Sequence, residues 1–286
     1  MVAATFFWSG AFIAAKFGLG QFSPLSLTFL RLSIASLIMF PLLCYRYPAH
    51  CRLTRQELPY VFSTALLGMI LYHLLFFNAL RYTTAGKAAM INAINPLLTT
   101  LLALLILKEH LPKGKLVYVL SGFFGVILTI TDWQLAALRT FSINQGDLMM
   151  LAGALAWAFY SIAVKKASAH VLPLKLTTYT FLLATLMLCP FFFWEWRNLS
   201  VLGLGWTPWL AVGYMALFPT VLGYSIQQNS IRVLGPAKTN LFIHLVPVFS
   251  MFLAQLILHE TLIPLNLISG AIIIASVFLF NKKSRT

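Results

Sequence analysis

The stretch ALRYTTAGKAAMINAINPLL (Ala79–Leu98) and the later stretch SIRVLGPAKTNLFIHLVPVF (Ser230–Phe249) share one polar skeleton. Each holds an arginine, a lysine six residues on and a proline nine residues after that. A shift of 151 residues places Asn78 on Asn229, Arg81 on Arg232, Lys87 on Lys238, Pro96 on Pro247 and Glu109 on Glu260. Across residues 78–111 the two copies agree at 11 of 34 positions without a gap. The leucine matches mean little in so apolar a chain. The matches at Asn, Arg, Lys, Pro and Glu decide that the chain contains two copies of one unit.

Working outward, WSGAFIAAK (Trp8–Lys16) lies over WAFYSIAVK (Trp157–Lys165) at a shift of 149, and Ser121-Gly122 over Ser269-Gly270 at 148. The surrounding chain is 60% hydrophobic and 9% charged over 286 residues. A soluble domain carries roughly a quarter charged residues, so this composition selects lipid as solvent. Ten stretches come near the ~20 apolar residues that cross a bilayer as a helix: 2–19, 25–45, 58–80, 85–107, 115–131, 147–164, 174–194, 208–230, 236–258 and 264–280. The expected fold is therefore an all-α integral membrane protein of ten transmembrane helices in two five-helix repeats, residues 1–131 and 147–281, with a cytoplasmic tail at 282–286. Five is odd, so equivalent helices of the two repeats cross in opposite directions. This is the inverted repeat common in secondary transporters.

The net charge of +14 does not point to nucleic acid, because the basic residues are scattered between apolar segments and form no continuous patch. They read as topology signals. With the N-terminus inside, fourteen of the twenty lysines and arginines fall on the cytoplasmic side and five outside (Lys16, Arg81, Lys87, Arg139 and Arg197), with Arg31 inside a helix. Both termini are expected in the cytoplasm, of a multi-pass protein in a bacterial inner (plasma) membrane. The N-terminus shows no positive n-region and no A-x-A site, so it reads as a retained first helix and not a signal peptide. That helix is short, which leaves a longer native start open. Cys44, Cys51 and Cys189 show no disulfide or metal spacing. Cys44 and Cys51 are expected on the cytoplasmic side, where thiols stay reduced.

Two five-helix units with W-x7-K on the first helix of each, Arg31 in LTFLRLSIAS, GDLMMLAGALAWAFYS opening the second unit and E-x-L…G closing both resemble the drug/metabolite transporter superfamily, the EamA-type family most of all. The resemblance covers essentially the whole chain. It implies export of amino acids, metabolites or drugs without ATP and without an organic cofactor. It also implies a central cavity lined by the first four helices of each unit, with the fifth and tenth peripheral.

Polar groups in hydrocarbon are costly and face protein or a water-filled cavity. On the fourth helix, Asn92, Asn95 and Thr99 share one face beside Pro96, which removes a backbone hydrogen bond. The ninth helix answers with Asn240, His244 and Pro247. These residues, with Pro96 and Pro247 as hinges, are candidates for a substrate cavity, against the alternative that the amides only join helices. His73 is a further candidate. Trp8, Trp157 and Tyr160 lie well inside their helices and offer walls for a flat or apolar substrate, or simply pack. Arg31 sits seven residues into its helix, about 10 Å deep at ~1.5 Å per residue. Asp147 and Glu195 are candidate ion-pair partners for it, and a substrate carboxylate is the alternative. Glu109 and Glu260 at helix ends read as helix-packing or capping groups. Gly122, Gly125 and Gly270 permit close helix contact, either within the fold or in a homodimer.

All six acids, Glu57, Glu109, Asp132, Asp147, Glu195 and Glu260, lie at or near helix ends, and no HExxH, paired-aspartate or Ser-His-Asp pattern is present. The leading reading is a small-solute exporter working by alternating access. A non-transporting scaffold or receptor, and further behind it an intramembrane enzyme, are the alternatives. With no acid near the midplane, transport is expected to be uncoupled facilitation or exchange, or else proton-coupled through His244. The charge bias makes one direct prediction. With Cys44 and Cys189 replaced, Cys51 should react with an impermeant maleimide only after permeabilisation. Labelling in intact cells reverses the assignment.

Overall fold

The structure is a computed structural model that describes residues 1–108, 114, 116–134, 143–197, 205–227, 230, 242–261 and 264–281. Among them every regular element is helical. Six helices are long and apolar enough to cross a membrane: α2 (Pro24–Arg46), α3 (Leu58–Tyr82), α4 (Ala85–Ile106), α6 (Gln145–Ala167), α7 (Pro173–Trp196) and α8 (Trp206–Gln227). Four shorter apolar helices complete the described set: α1 (Val2–Gly18), α5 (Leu116–Ile130), α9 (Leu245–Leu258) and α10 (Pro264–Asn281). Short polar signals set the ends. Ser23 caps α2 by accepting the Ser26 amide at 3.0 Å, with Pro24 in the first turn. Thr84 caps α4 through the Lys87 amide, and Asn144 caps α6 through the Gly146 amide.

Neighbouring helices pair across the chain. α2 lies along α7, α3 along α6, α5 along α10, and α1 against α8 and α9. The small residues that permit this are occupied inside the fold. Gly125 faces Ile273 and the Ser269 carbonyl, while Ser121 with Ser276 and Thr129 with Ser269 share hydroxyl hydrogen bonds of 2.9 and 2.7 Å between α5 and α10. The outward faces are apolar and bare: Leu37 is 76% exposed and Leu105 77%. Surfaces of this kind need lipid against them.

Two helices depart from regular α geometry at matching places. α3 is π-helical over Ala65–Leu71 and α8 over Ala216–Gly223, segments that begin 151 residues apart. α4 is interrupted at Ala93 and Ile94, between Ala85–Asn92 and Asn95–Leu107, just before Pro96. α9 is entered through a 3-10 turn, Phe242–His244, just before Pro247. The periodicity of the sequence predicted continuous helices here, because a π turn or a one-turn break leaves hydrophobicity unchanged.

One expectation is corrected. Cys44 and Cys51 are joined as a disulfide. The 3-10 turn Pro48–His50 folds the chain back after α2 and brings their Cα atoms to 4.9 Å, which the spacing of seven residues does not suggest.

At this same end Lys175 of α7 pairs with Glu57, which precedes α3, at 2.7 Å. Burial pushes the Glu57 carboxyl up, but the Lys175 ammonium and the amide and hydroxyl of Thr54 outweigh it and hold the group below the ordinary carboxylate range. A carboxylate lowered on folding stabilises above its unfolded pKa of about 4.3 and loses that contribution as pH falls through the folded value. Glu57→Gln should therefore lower the unfolding temperature near neutral pH, and its gap from wild type should close below about pH 4. A gap that does not change with pH would show that the charge pair contributes nothing.

Candidate functional site

The two π segments carry the polar middle of the bundle. A π turn widens the backbone and frees carbonyls for other partners. The Trp8 indole of α1 donates to the freed Pro219 carbonyl of α8 at 2.9 Å, and the Thr220 hydroxyl donates five residues back to Met215 at 2.7 Å. In α3 the His73 Nδ1 lies 2.9 Å from the Gly68 carbonyl, also five residues back. A carbonyl only accepts, so Nδ1 carries the proton.

Rings from the opposite part of the chain cover each widened segment. The Tyr160 ring of α6 lies directly on Gly68, leaving no room for a Cβ there. Trp157 packs between Tyr72 and Tyr160, with centroids 4.7 and 4.8 Å away. On α8, a Cβ at Gly223 would stand 2.7 Å from the Trp8 Nε1, and Tyr224 meets the Trp8 ring edge-on at 6.2 Å. Trp8 and Trp157 thus occupy corresponding seats over α8 and α3.

Arg31 lies between these seats. It is 5% exposed, and its Nε donates to the Thr220 hydroxyl at 2.7 Å. Thr220 lies one turn before Tyr224 on α8, and α2 also packs against the Tyr72–Tyr82 part of α3. The Asn92 side chain lies beside the Tyr72 hydroxyl, and its Oδ1 accepts from Asn95 Nδ2 at 2.7 Å. Asn95 Oδ1 is buried and has no hydrogen-bond partner among the described residues. One connected layer therefore gathers Trp8, Arg31, His73, Asn92, Asn95, Trp157 and Tyr160.

Other expected residues stand apart from this layer. Thr99 is half-buried one turn beyond Asn95, with no described bond to the layer. Pro96 opens the second segment of α4, and Pro247 is buried in the first turn of α9. His244 ends the 3-10 turn before α9, while Asn240, Glu109, Arg232 and Lys238 lie outside the described residues. The carboxylates weighed as partners for Arg31 are engaged elsewhere. Asp147 is fully buried, 2.8 Å from Lys87 and 2.5 Å from the Thr83 hydroxyl. Glu195 accepts from Ser23 and Ser26. The partners the sequence did not disclose are Thr220, Tyr72, Tyr224, Gly68 and the Pro219 carbonyl. Their only trace is the 151-residue register, which sets Gly68 on Pro219 and His73 on Tyr224.

A cavity of about 440 Å³ opens at one end of the bundle, lined by Lys16, Arg81, Lys87, Asp132, Glu260 and Asn266 among others. Lys87 bridges Asp132 and Asp147 there at 2.9 and 2.8 Å. Glu260 accepts the Ala85 and Gly86 amides at 2.8 and 3.1 Å and so caps α4 from the far end of the chain. Of the packing and capping roles weighed for Glu260, the geometry shows capping. Lys16 donates to the Thr83 carbonyl at 2.5 Å.

The EamA-like transporter family model matches residues 1–131 and again 144–282. The chain is 32% identical to the uncharacterized transporter YyaM of Bacillus subtilis (strain 168), over 87% of this chain and 81% of the other. It is 26% identical to a probable terminal-alkyne amino-acid exporter of Streptantibioticus cattleyicolor, over 97% and 90%. A crystal structure 22% identical shares the fold, with a TM-score of 0.63 over 96% of this chain and 92% of that one. The membrane-compatible helices and these relatives make the chain an integral, multi-pass membrane protein.

The seat over Gly68 makes a stability prediction. Gly68→Ala forces Tyr160 aside, an overpacking change of about 1–3 kcal/mol, seen as a lower unfolding temperature in detergent. Tyr160→Ala in the same chain should recover most of that loss. Equal unfolding of Gly68→Ala and wild type would mean that the ring is not held there.

Proposed function

The chain belongs to the EamA-like transporter family, and on that premise we propose that it is a secondary transporter that exports small metabolites, amino acids or related compounds, by alternating access. The observation that carries this reading is the pair of π segments, each covered by aromatic rings from the other part of the chain, with Arg31 bonded to the segment of α8. A widened helix has two local arrangements of similar energy, and rings seated over it can move with it. Two such seats at corresponding depths are what an inverted five-plus-five repeat needs to open alternately to either side.

In this mechanism the layer of Trp8, Tyr72, Trp157, Tyr160 and Tyr224 walls the substrate, and Asn92 and Asn95 offer it amides. The breaks before Pro96 and Pro247 are the hinges. The end with Lys87, Asp147 and Glu260 forms one gate. Both termini lie in the cytoplasm, and the export direction follows the relative named as an amino-acid exporter. The described acids, Glu57, Asp132, Asp147, Glu195 and Glu260, all sit at helix ends or in the links between helices, which supports uncoupled facilitation or exchange.

The test is flux in proteoliposomes containing only this protein. Entry of a labelled amino acid above empty vesicles is expected, and Asn92→Leu or Asn95→Leu should reduce it severalfold at near-normal expression. No flux for any of a broad panel of amino acids, nucleobases and cationic drugs would reject transport. Undiminished flux in both variants would return the asparagines to helix packing.

A further inference from the structure

Among the described residues Arg31 is a buried cation without a counter-ion. A guanidinium taken out of water and left unpaired is strongly destabilising, and such residues in membrane proteins pair with carboxylates or face a site. Among the described residues Arg31 makes no ion pair, and its one hydrogen bond to a side chain is from Nε to the neutral Thr220 hydroxyl. The described carboxylates are all committed: Glu57 to Lys175, Asp132 and Asp147 to Lys87, Glu195 to two serines and Glu260 to the α4 amides. Bonding through Nε fixes the plane of the guanidinium and leaves its terminal nitrogens as a donor edge.

The corresponding contact on the other side of the molecule shows that the fold does not need this charge. Pro24 and Pro173 each open their helix, and counting on from them sets Arg31 of α2 level with Thr180 of α7. Thr180 joins α7 to α3 beside its π segment by a hydrogen bond of 2.7 Å to the Thr64 hydroxyl. Arg31 joins α2 to the π segment of α8. A neutral hydroxyl pair performs the joining in one place, so the cation in the other has a further use.

We infer that Arg31 is the anion-recognition residue of the central site and that the transported solute carries a single carboxylate, which becomes the missing counter-ion. The inference deepens the transporter reading and rests on it. One negative charge is enough, because Arg31 is the one arginine or lysine joined to this layer among the described residues, which disfavours a phosphate dianion. Tyr224, one turn from Thr220, and the packed Tyr72–Trp157 pair on the neighbouring α3 and α6 suit a flat or apolar body attached to that carboxylate. Asn95 Oδ1, an acceptor without a donor, suits an amino group elsewhere on the same solute. The class is therefore the small amphiphilic carboxylate, with α-amino acids bearing apolar side chains inside it.

The experiment is ligand-dependent thermal stabilisation of the purified full-length protein in detergent. The probes are 3-phenylpropanoate, its neutral isostere 3-phenylpropanamide, L-phenylalanine and L-phenylalaninamide, each at millimolar concentration. The two carboxylates should raise the unfolding temperature, and the two amides should not. Arg31→Gln should weaken carboxylate binding by about thirtyfold or more, and Arg31→Lys by less, since it keeps the charge and loses the fork. The acid–amide comparison in wild type stands even if Arg31→Gln does not fold. Equal stabilisation by acid and amide, no stabilisation by any probe, or full retention in Arg31→Gln overturns the assignment. Binding is read without flux, so the two readings fail separately. Carboxylate binding without flux rejects transport alone, and Arg31-independent flux of neutral solutes rejects the carboxylate alone.

Discussion

A polar group inside a bilayer has no water to bond, so it must find its partner in the protein. Everything distinctive in this molecule follows from where those partners are. Many lie far along the chain. Trp8 bonds the Pro219 carbonyl, Ser9 the Val246 carbonyl, Arg31 the Thr220 hydroxyl and Thr64 the Thr180 hydroxyl. Ser121 and Thr129 bond Ser276 and Ser269, and Glu260 reaches back to the amides that open α4. Each contact ties a residue of α1–α5 or its links to a residue of α6–α10 or its links.

Such bonds are individually weak, near 0.6 kcal/mol on average between membrane helices. Their number and their placement between the two parts of the chain matter more than their strength. A bundle held by many small polar contacts can exchange one set for another without passing through a state that exposes a large apolar surface. The two ends differ from the middle. At one end Lys87 is clamped between Asp132 and Asp147, and at the other Lys175 is clamped on Glu57. In the middle the bonds go to carbonyls and hydroxyls of the π segments.

The class of protein, the apolar stretches and the internal duplication were legible in the residues. Hydrophobicity and rare polar matches are properties of the chain that tertiary contacts do not alter. The helix ends were legible only to within a few residues, although Ser23, Thr84 and Asn144 cap them through partners two or three residues away. Trp8, Arg31, His73, Asn92, Asn95, Trp157 and Tyr160 could be singled out by their position deep within apolar segments. That they form one layer could not, since a helical repeat states which face a residue occupies and not which helix that face meets.

Tertiary structure alone decided the rest. It gave Arg31 a threonine where a carboxylate was expected, because Asp147 and Glu195 are drawn to Lys87 and to two serines at the helix ends. It joined Cys44 to Cys51 through a turn whose shape the spacing does not encode. It placed π turns in α3 and α8 where the sequence reads as unbroken helix, since a π turn is stabilised by what packs against it, here Tyr160 on Gly68 and Trp8 on the Pro219 carbonyl. The sequence by itself determined that these groups are buried in lipid and must be satisfied. Which group satisfies which is a matter of distance between helices, and distance exists only in the folded molecule.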